Sequence, residues 1–283
     1  MILARCLSII LILGSIQTAN AVTDANSAAK AAEKLYSIFL TAKMDTGGHS
    51  TTEMAKFFDH LVVPGQNDES AEILASYSME TKAAPSKHPF VIKLASLITA
   101  PAQSDTEKLL LIHNFVLWRM THAAIFIPKY ATPVALVTRK GKLAQCINES
   151  ADHGVSTAWV KPPVECGLVE DIDVGDNWVL ALFFTGLHNC SGYASLFATL
   201  ARATGFPTQI VQSTQVGTLH IWNRVYYKGA WRNIDTTFDD AYDRGQYEDN
   251  STMTTMMLYF LRSDEGIAKQ DPESHAAYTV TND

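Results

Sequence analysis

The sequence has little that would tie it to a membrane or to nucleic acid. Its 283 residues carry a formal net charge of −7, and no stretch is rich in Lys and Arg. Nucleic acid or an anionic membrane surface would need such a basic patch. The apolar run at residues 7–16 is too short for a stable membrane span, and no later segment is long and apolar enough. We expect no nucleic-acid partner and no stable membrane insertion.

Metal-binding spacings are also missing. The side chains that could bind metals fall in two groups: Cys146, Asp152, His153 and Cys166, and the acidic residues Asp171, Asp173 and Asp176. The first group lacks paired C-x-x-C or H-E-x-x-H spacing. The second lacks the terminal Glu of a calcium-binding EF-hand loop. We expect no metal site and no cofactor.

The first 21 residues predict a secretory signal peptide. Arg5 supplies a positive charge, and Ala19-Asn20-Ala21 gives the small-x-small pattern after which signal peptidase cuts. The mature chain would then begin near Val22, and the protein would be secreted or periplasmic. The alternative is an uncleaved N-terminal anchor.

The chain has only four cysteines, and Cys6 would leave with the signal peptide. Cys146 and Cys166 bracket a loop-like segment, which a disulfide between them would close in an oxidising compartment. Cys190 would then remain as a free thiol. The alternative is that all three cysteines are unpaired.

Apolar periodicity predicts a helical first half followed by a helix that leads into antiparallel strands. Helices are expected over residues 27–43, 52–61 and 69–79, from Ser104 or Asp105 onwards, and over 189–204; strands over 208–213, 219–227 and 230–236. A Pro-containing break at residues 84–89 marks a plausible boundary. We therefore predict an α+β fold. It would comprise a helical N-terminal region (22–90), a catalytic domain (91–271) and a C-terminal tail (272–283).

Cys190 has the position of a reactive thiol. It stands at the start of the predicted helix over 189–204, where the helix dipole favours the thiolate, the form that attacks. Gly192 and Ala194 are small and would let a substrate backbone approach. Backbone N–H groups at the helix start could bind an oxyanion. A buried structural cysteine would also fit this position.

A predicted hairpin brings an imidazole and a carboxylate to one face of the sheet. With a two-residue turn at Lys228-Gly229, His220 lies opposite Thr237, and Asp235 takes the diagonal position on the same face. From there the carboxylate can orient the imidazole and stabilise the imidazolium. A three-residue turn would separate them onto opposite faces. Together with Cys190, these residues form the Cys/His/Asp set of covalent catalysis.

Four segments also resemble a known family, the transglutaminase-like superfamily, which shares the papain-like core. They are Asn189-Cys190-Ser191-Gly192-Tyr193-Ala194, Leu200-Ala201-Arg202-Ala203-Thr204-Gly205-Phe206-Pro207, His220-Ile221-Trp222-Asn223-Arg224-Val225-Tyr226 and Trp231-Arg232-Asn233-Ile234-Asp235-Thr236-Thr237. The resemblance is clear over residues 105–240 and weaker to 271, and residues 22–90 match no recognised pattern. Asn189 and Arg224 depart from the residues usual in the family.

The resemblance implies a helix that bears the nucleophile and packs on an antiparallel sheet. It implies Cys190 as nucleophile, His220 as general base and acid, and Asp235 as the residue that orients His220. By the same resemblance, Trp178 is favoured over Trp159 as an oxyanion-stabilising residue, although either could simply pack.

We therefore expect an exported enzyme that attacks amide bonds of a protein or peptide substrate. Hydrolysis by a peptidase or amidase is favoured by analogy, and transfer to a lysine amine, as in a transglutaminase, is the alternative. A non-catalytic binding module that keeps the fold is the rival from another class.

Overall fold

Capping side chains mark the start of most helices in the first half of the chain. A computed structural model describes residues 25–41, 49–122, 177–240 and 257–281. The helices are α1 (Ala25–Thr41), α2 (Thr51–Leu61), α3 (Ala71–Ser76), α4 (Pro89–Thr99) and α5 (Asp105–Arg119). Ser50 and Glu53 form a capping box at α2, and Ser104 caps α5.

The sequence predicted these helices to within a few residues, except α4. The break predicted at residues 84–89 hid this helix, because Pro89 occupies its first turn. Proline has no backbone N–H to lose there, so it begins a helix as readily as it ends one. The predicted signal peptide and the proposed Cys146–Cys166 disulfide lie outside the described residues.

The second half combines short helices with an antiparallel sheet. Its elements are β1 (Thr121–His122), α6 (Trp178–Thr185), β2 (Leu187–His188), α7 (Cys190–Ala203), β3 (Thr208–Ser213), β4 (Ile221–Tyr227), β5 (Ala230–Ile234), α8 (Thr236–Asp239), α9 (Asp264–Gln270), α10 (Pro272–His275) and β6 (Tyr278–Val280). Strands β1 and β2 pair in parallel, and the four-stranded sheet has the order β5-β4-β3-β6. The α+β prediction is confirmed.

The hairpin between β4 and β5 has the predicted register. Tyr227 pairs with Ala230, and four more pairs follow, ending with Asn223 opposite Ile234. Lys228 and Gly229 have φ values of 49° and 75°, the left-handed conformation that a two-residue type I′ turn requires at both positions. The predicted strand over 230–236 was too long, because the chain leaves the sheet after Ile234 and begins a helix.

Helix α7 is central to the packing of the fold. It packs against α4 and α5 on one side and against β3 and β4 on the other. The helices of the predicted N-terminal region share this core, because α1 packs on α4 and α2 packs on α5. Aromatic contacts also join residues far apart in sequence: the rings of Phe58 and Phe260, for example, meet edge to face at 4.9 Å. The segment that carries the predicted nucleophile therefore depends on the N-terminal helices for its support.

Residues after 271, which the sequence analysis set apart as a tail, contribute to the same sheet. Strand β6 pairs with β3, with Ser213 opposite Tyr278 and Val211 opposite Val280. Helix α10 immediately precedes it. Among the described residues, no helix combines the length and apolarity that a membrane crossing requires.

Leu35→Ala tests whether α1 is an integral part of the core. Leu35 is 3% exposed, whereas Leu40 of the same helix is 64% exposed. We expect Leu35→Ala to lower the free energy of unfolding by about 2–5 kcal/mol, because it leaves a cavity. Leu40→Ala, the control, should change it by no more than about 0.5 kcal/mol. Denaturant unfolding followed by circular dichroism measures both, and equal effects would contradict the packing of α1.

Candidate active site

The start of α7 places Cys190 next to a tightly packed loop. Cys190 is a free, half-buried thiol at the first position of the helix. Asn189 caps the helix, and its side-chain oxygen accepts from the Ser191 N–H at 3.1 Å. A side chain at Gly192 would overlap the Cβ of His188. Glycine is therefore required for the loop before Cys190 to lie against the helix.

His220 and Asp235 meet as predicted, but not as a cross-strand pair: His220 precedes β4, Asp235 follows β5, and the pairing ends at Asn223 and Ile234. His220 Nε2 lies 2.5 Å from Asp235 Oδ2, and both side chains are buried, at 7% and 0% exposed. Since a carboxylate oxygen can only accept, Nε2 carries the hydrogen of this bond. The other ring nitrogen, Nδ1, is left to exchange a proton elsewhere.

The environment of His220 favours its charged form. Burial by itself lowers the pKa of this imidazole, but the charge and hydrogen bond of Asp235, with a further hydrogen bond and charge from Cys190, raise it to about 9. The thiol of Cys190 thus lies within interaction distance of the ring. The structure therefore brings His220 and Asp235 into contact and places the Cys190 thiol near enough to raise the pKa of His220 further, whereas a complete triad stays a prediction.

Asp235 is held by the backbone as well as by histidine. It is the N-cap of α8, and its Oδ1 accepts from the N–H groups of Thr237 at 2.9 Å and Phe238 at 3.1 Å. Burial would raise the pKa of Asp235, but the charges and hydrogen bonds of His220 and His275 outweigh it and hold that pKa well below its usual range. Asp235 is therefore ionised and fixed in place.

His275 belongs to the site although no pattern in the sequence predicted it. Its Nε2 lies 2.9 Å from Asp235 Oδ2, the same oxygen that His220 contacts, and its side chain is fully buried. A lone histidine, 40 positions after Asp235 and beyond the predicted domain boundary, carries no spacing signal. Only the return of the chain through α10 brings it to the site.

Two further buried hydrogen bonds hold the C-terminal end of α8. His113 of α5 bonds through Nε2 to Asp239 Oδ2 at 3.0 Å. Burial raises the pKa of Asp239, and the hydrogen bond from His113 opposes this only in part. The Tyr193 hydroxyl donates to Asp240. These bonds tie the short helix to α5 and α7.

One group of described residues could hold a metal ion. The ligand atoms of His220, Asp235 and His275 lie within 4.8 Å of one another. However, the two nitrogen–oxygen distances of 2.5 and 2.9 Å are those of hydrogen bonds to a single oxygen. A metal there would also take His220 and Asp235 out of acid–base use. The geometry therefore favours a hydrogen-bonded cluster.

The remaining predicted residues stand apart from this cluster. Trp178 opens α6 and stacks on His188, with ring centroids 5.2 Å apart. Burial lowers the pKa of His188, although Asn189 opposes the shift. The role of Trp178 in binding an oxyanion stays a prediction. Arg224, which departs from the family pattern, pairs with Asp264 at 2.8 Å and lies over the ring of Tyr278.

Comparison with known proteins places this site in a wider class. Residues 156–236, which contain Cys190, His220 and Asp235, match the transglutaminase-like superfamily. The predicted resemblance is thus confirmed over this segment. The match supports a cysteine-dependent, enzymatic function at the level of the superfamily.

Two solved structures are similar to parts of the chain. One is a protein of Cytophaga hutchinsonii provisionally described as a cysteine protease, with 13% identity, a TM-score of 0.37, and coverage of 60% of this chain and 43% of that one. The other is a TGase, with 17% identity, a TM-score of 0.28, and coverage of 66% and 37%. The chain thus spans less than half the length of either protein. No curated protein matches it.

Asp235→Asn tests the electrostatic link to His220. Asparagine can still cap α8 but carries no charge. We expect the pKa of His220 to fall well below 9, because burial is then largely unopposed. NMR titration of the imidazole measures this shift. The control is Asp264→Asn, which removes a carboxylate that pairs with Arg224 instead.

The ion pair between His220 and Asp235 should also make the stability gap between wild type and Asp235→Asn depend on pH. The pKa of His220 is raised from 6.5 in the unfolded chain to about 9 in the folded one. The pairing therefore stabilises the native state fully below about pH 6.5 and is lost as the pH rises through about 9. Wild type should exceed Asp235→Asn in stability more at about pH 6 than at about pH 10. An equal margin at both pH values would contradict the link.

Proposed function

We propose that this chain is an exported cysteine-dependent enzyme that attacks amide bonds through Cys190, His220 and Asp235. The proposal rests mainly on the position of the His220 imidazole. This ring interacts with the Cys190 thiol, and its Nε2 lies 2.5 Å from Asp235 Oδ2. A raised pKa at His220 keeps the imidazolium available to a thiolate partner. Such a pair is the activated form of a cysteine nucleophile.

In the proposed reaction, the Cys190 thiolate attacks the carbonyl carbon of an amide and forms a tetrahedral intermediate. Imidazolium His220 gives its Nδ1 proton to the amine as the carbon–nitrogen bond breaks, which leaves a thioester on Cys190. Neutral His220 then takes a proton from an incoming water or amine as that group attacks the thioester. The thiolate leaves, and the thiolate–imidazolium pair is restored.

The oxyanion that forms in the first step needs hydrogen-bond donors. Early amides of α7 are engaged within the helix start: Ser191 N–H bonds the Asn189 side chain and Gly192 N–H bonds the Asn189 carbonyl. The amide of Cys190 itself is our proposed donor, with Trp178 as a second proposed contributor. Hydrolysis is the favoured outcome and amine transfer the alternative, and the choice depends on how well the closed site excludes water.

Export is proposed from the sequence alone. Residues 1–21 have the charge, apolar run and small-residue site of a signal peptide. A reactive thiol in an exported protein also accords with an odd number of cysteines in the mature chain.

Alkylation of Cys190 by iodoacetamide tests the proposed nucleophile without knowledge of the substrate. We expect Cys190 to react about tenfold or more faster at about pH 6 than an ordinary cysteine with a pKa of about 8.5. His220→Ala should reduce the rate to that of an ordinary thiol. Mass spectrometry of the Cys190 peptide measures the rate in the presence of the other cysteines.

The matched control is His60→Ala, which removes an exposed histidine on α2. It should leave the rate unchanged. If wild-type Cys190 reacts no faster than an ordinary thiol and His220→Ala has no effect, the chain is a binding module that keeps the fold, and the catalytic proposal fails.

Casein with a fluorescent amine separates hydrolysis from transfer. We expect casein fragments from wild type and none from Cys190→Ala, because water competes successfully for the thioester. Gel electrophoresis with fluorescence detection measures both products. Incorporation of the amine without fragments would contradict the favoured peptidase and support the transferase.

A further inference from the structure

Two imidazoles converge on one oxygen of the buried carboxylate. His220 Nε2 lies 2.5 Å and His275 Nε2 2.9 Å from Asp235 Oδ2. The two rings stand edge to face, with centroids 5.3 Å apart. The other oxygen, Oδ1, is taken by backbone N–H groups at the start of α8. His275 thus completes the set of donors that surrounds Asp235.

His275 is itself tightly held. Its ring packs edge to face against Trp222 at 4.6 Å and stacks on Tyr259 at 5.5 Å. Its Nδ1 faces the carbonyl oxygen of Asp271 at 3.3 Å and the carboxylate of Asp271 at 3.5 Å. A buried ring that packs against two aromatic side chains and bonds Asp235 through Nε2 is held in one orientation, which is what a positioning group needs.

We propose that His275 is a positioning residue for the reaction proposed above: its N–H bond to Asp235 Oδ2 holds the carboxylate in the orientation that aims His220 at Cys190. The inference rests on the proposed function of that site. The residue comes from α10, so the segment that adds β6 to the sheet also completes the donors around Asp235.

The small number of hydrogen-bond donors to Asp235 Oδ2 explains why the loss of the His275 bond should affect the site. Oδ2 accepts from two side chains, and without His275 only the bond to His220 would hold it. The carboxylate could then turn about its Oδ1 contacts, and the short bond to His220 would lose its alignment. Hydrogen bonds weaken steeply as their angle departs from linearity. A misplacement of about 1 Å at a catalytic group can cost about 100-fold in rate.

Two substitutions of His275 separate the hydrogen bond from the packing. His275→Phe keeps an aromatic ring but donates nothing, whereas His275→Gln offers an amide N–H that can reach Oδ2. His88→Phe is the matched control, because it replaces a half-buried histidine that caps α4 through its Nδ1 and does not contact Asp235. The pH dependence of Cys190 alkylation and the NMR titration of His220 are measured for all four proteins, in EDTA to exclude metals.

We expect His275→Phe to lower the alkylation rate at about pH 7 by about tenfold or more. The titration of His220 should move down from about 9. His275→Gln should recover most of both, and His88→Phe should lower thermal stability through the lost helix cap without moving the His220 titration. Loss of stability alone cannot produce this pattern.

A His220 titration that is unchanged or moved upward in His275→Phe would overturn the proposal. An upward shift would mean that His275 only disperses the charge of Asp235. If His275→Phe does not fold, failure of His275→Gln to match wild type in the His220 titration would overturn it equally. Slow alkylation of the wild type together with a His275-dependent titration would reject the proposed function and leave the positioning role standing.

Discussion

The structure around the site depends on the burial of one charge, the carboxylate of Asp235. It is tolerated inside the protein because four hydrogen bonds surround it, two from backbone N–H groups and two from imidazoles. An ionised group without such partners would be far too costly to bury. The same bonds fix the direction of His220. The hydrogen bonds that stabilise the buried charge therefore also determine the geometry of the site.

Asp235 lies where the backbone passes from a strand into a helix. Asp235 directly follows the last residue of β5 and caps α8, so its position is defined by the sheet and by the helix together. Buried bonds from His113 and Tyr193 hold α8 against α5 and α7. The N-terminal helices pack on α4 and α5, and through them they support the helix that begins at Cys190. Helices that do not contact the site therefore help to fix its geometry.

The match to the transglutaminase-like superfamily covers residues 156–236, but the donors around Asp235 extend beyond that segment. His275 approaches from α10, and β6 then joins the edge of the sheet beside β3. This C-terminal segment brings a second imidazole to the oxygen of Asp235 that His220 also contacts. In the reaction that we propose, the choice between water and an amine as acceptor depends on groups that shape the cleft, and not on Cys190, His220 and Asp235.

Local patterns in the sequence were sufficient for the start of α7 and for the register of the β4–β5 hairpin, but not for the helix that begins after Asp235. Turn chemistry at Lys228-Gly229 determined the register of the hairpin, and Asn189 determined where α7 begins, because both depend only on neighbouring residues. His275 and the shared core of the N-terminal helices could not be predicted in this way. They are contacts between segments far apart in sequence, and only the packing of the whole chain decides which distant residue fills the space beside a buried charge.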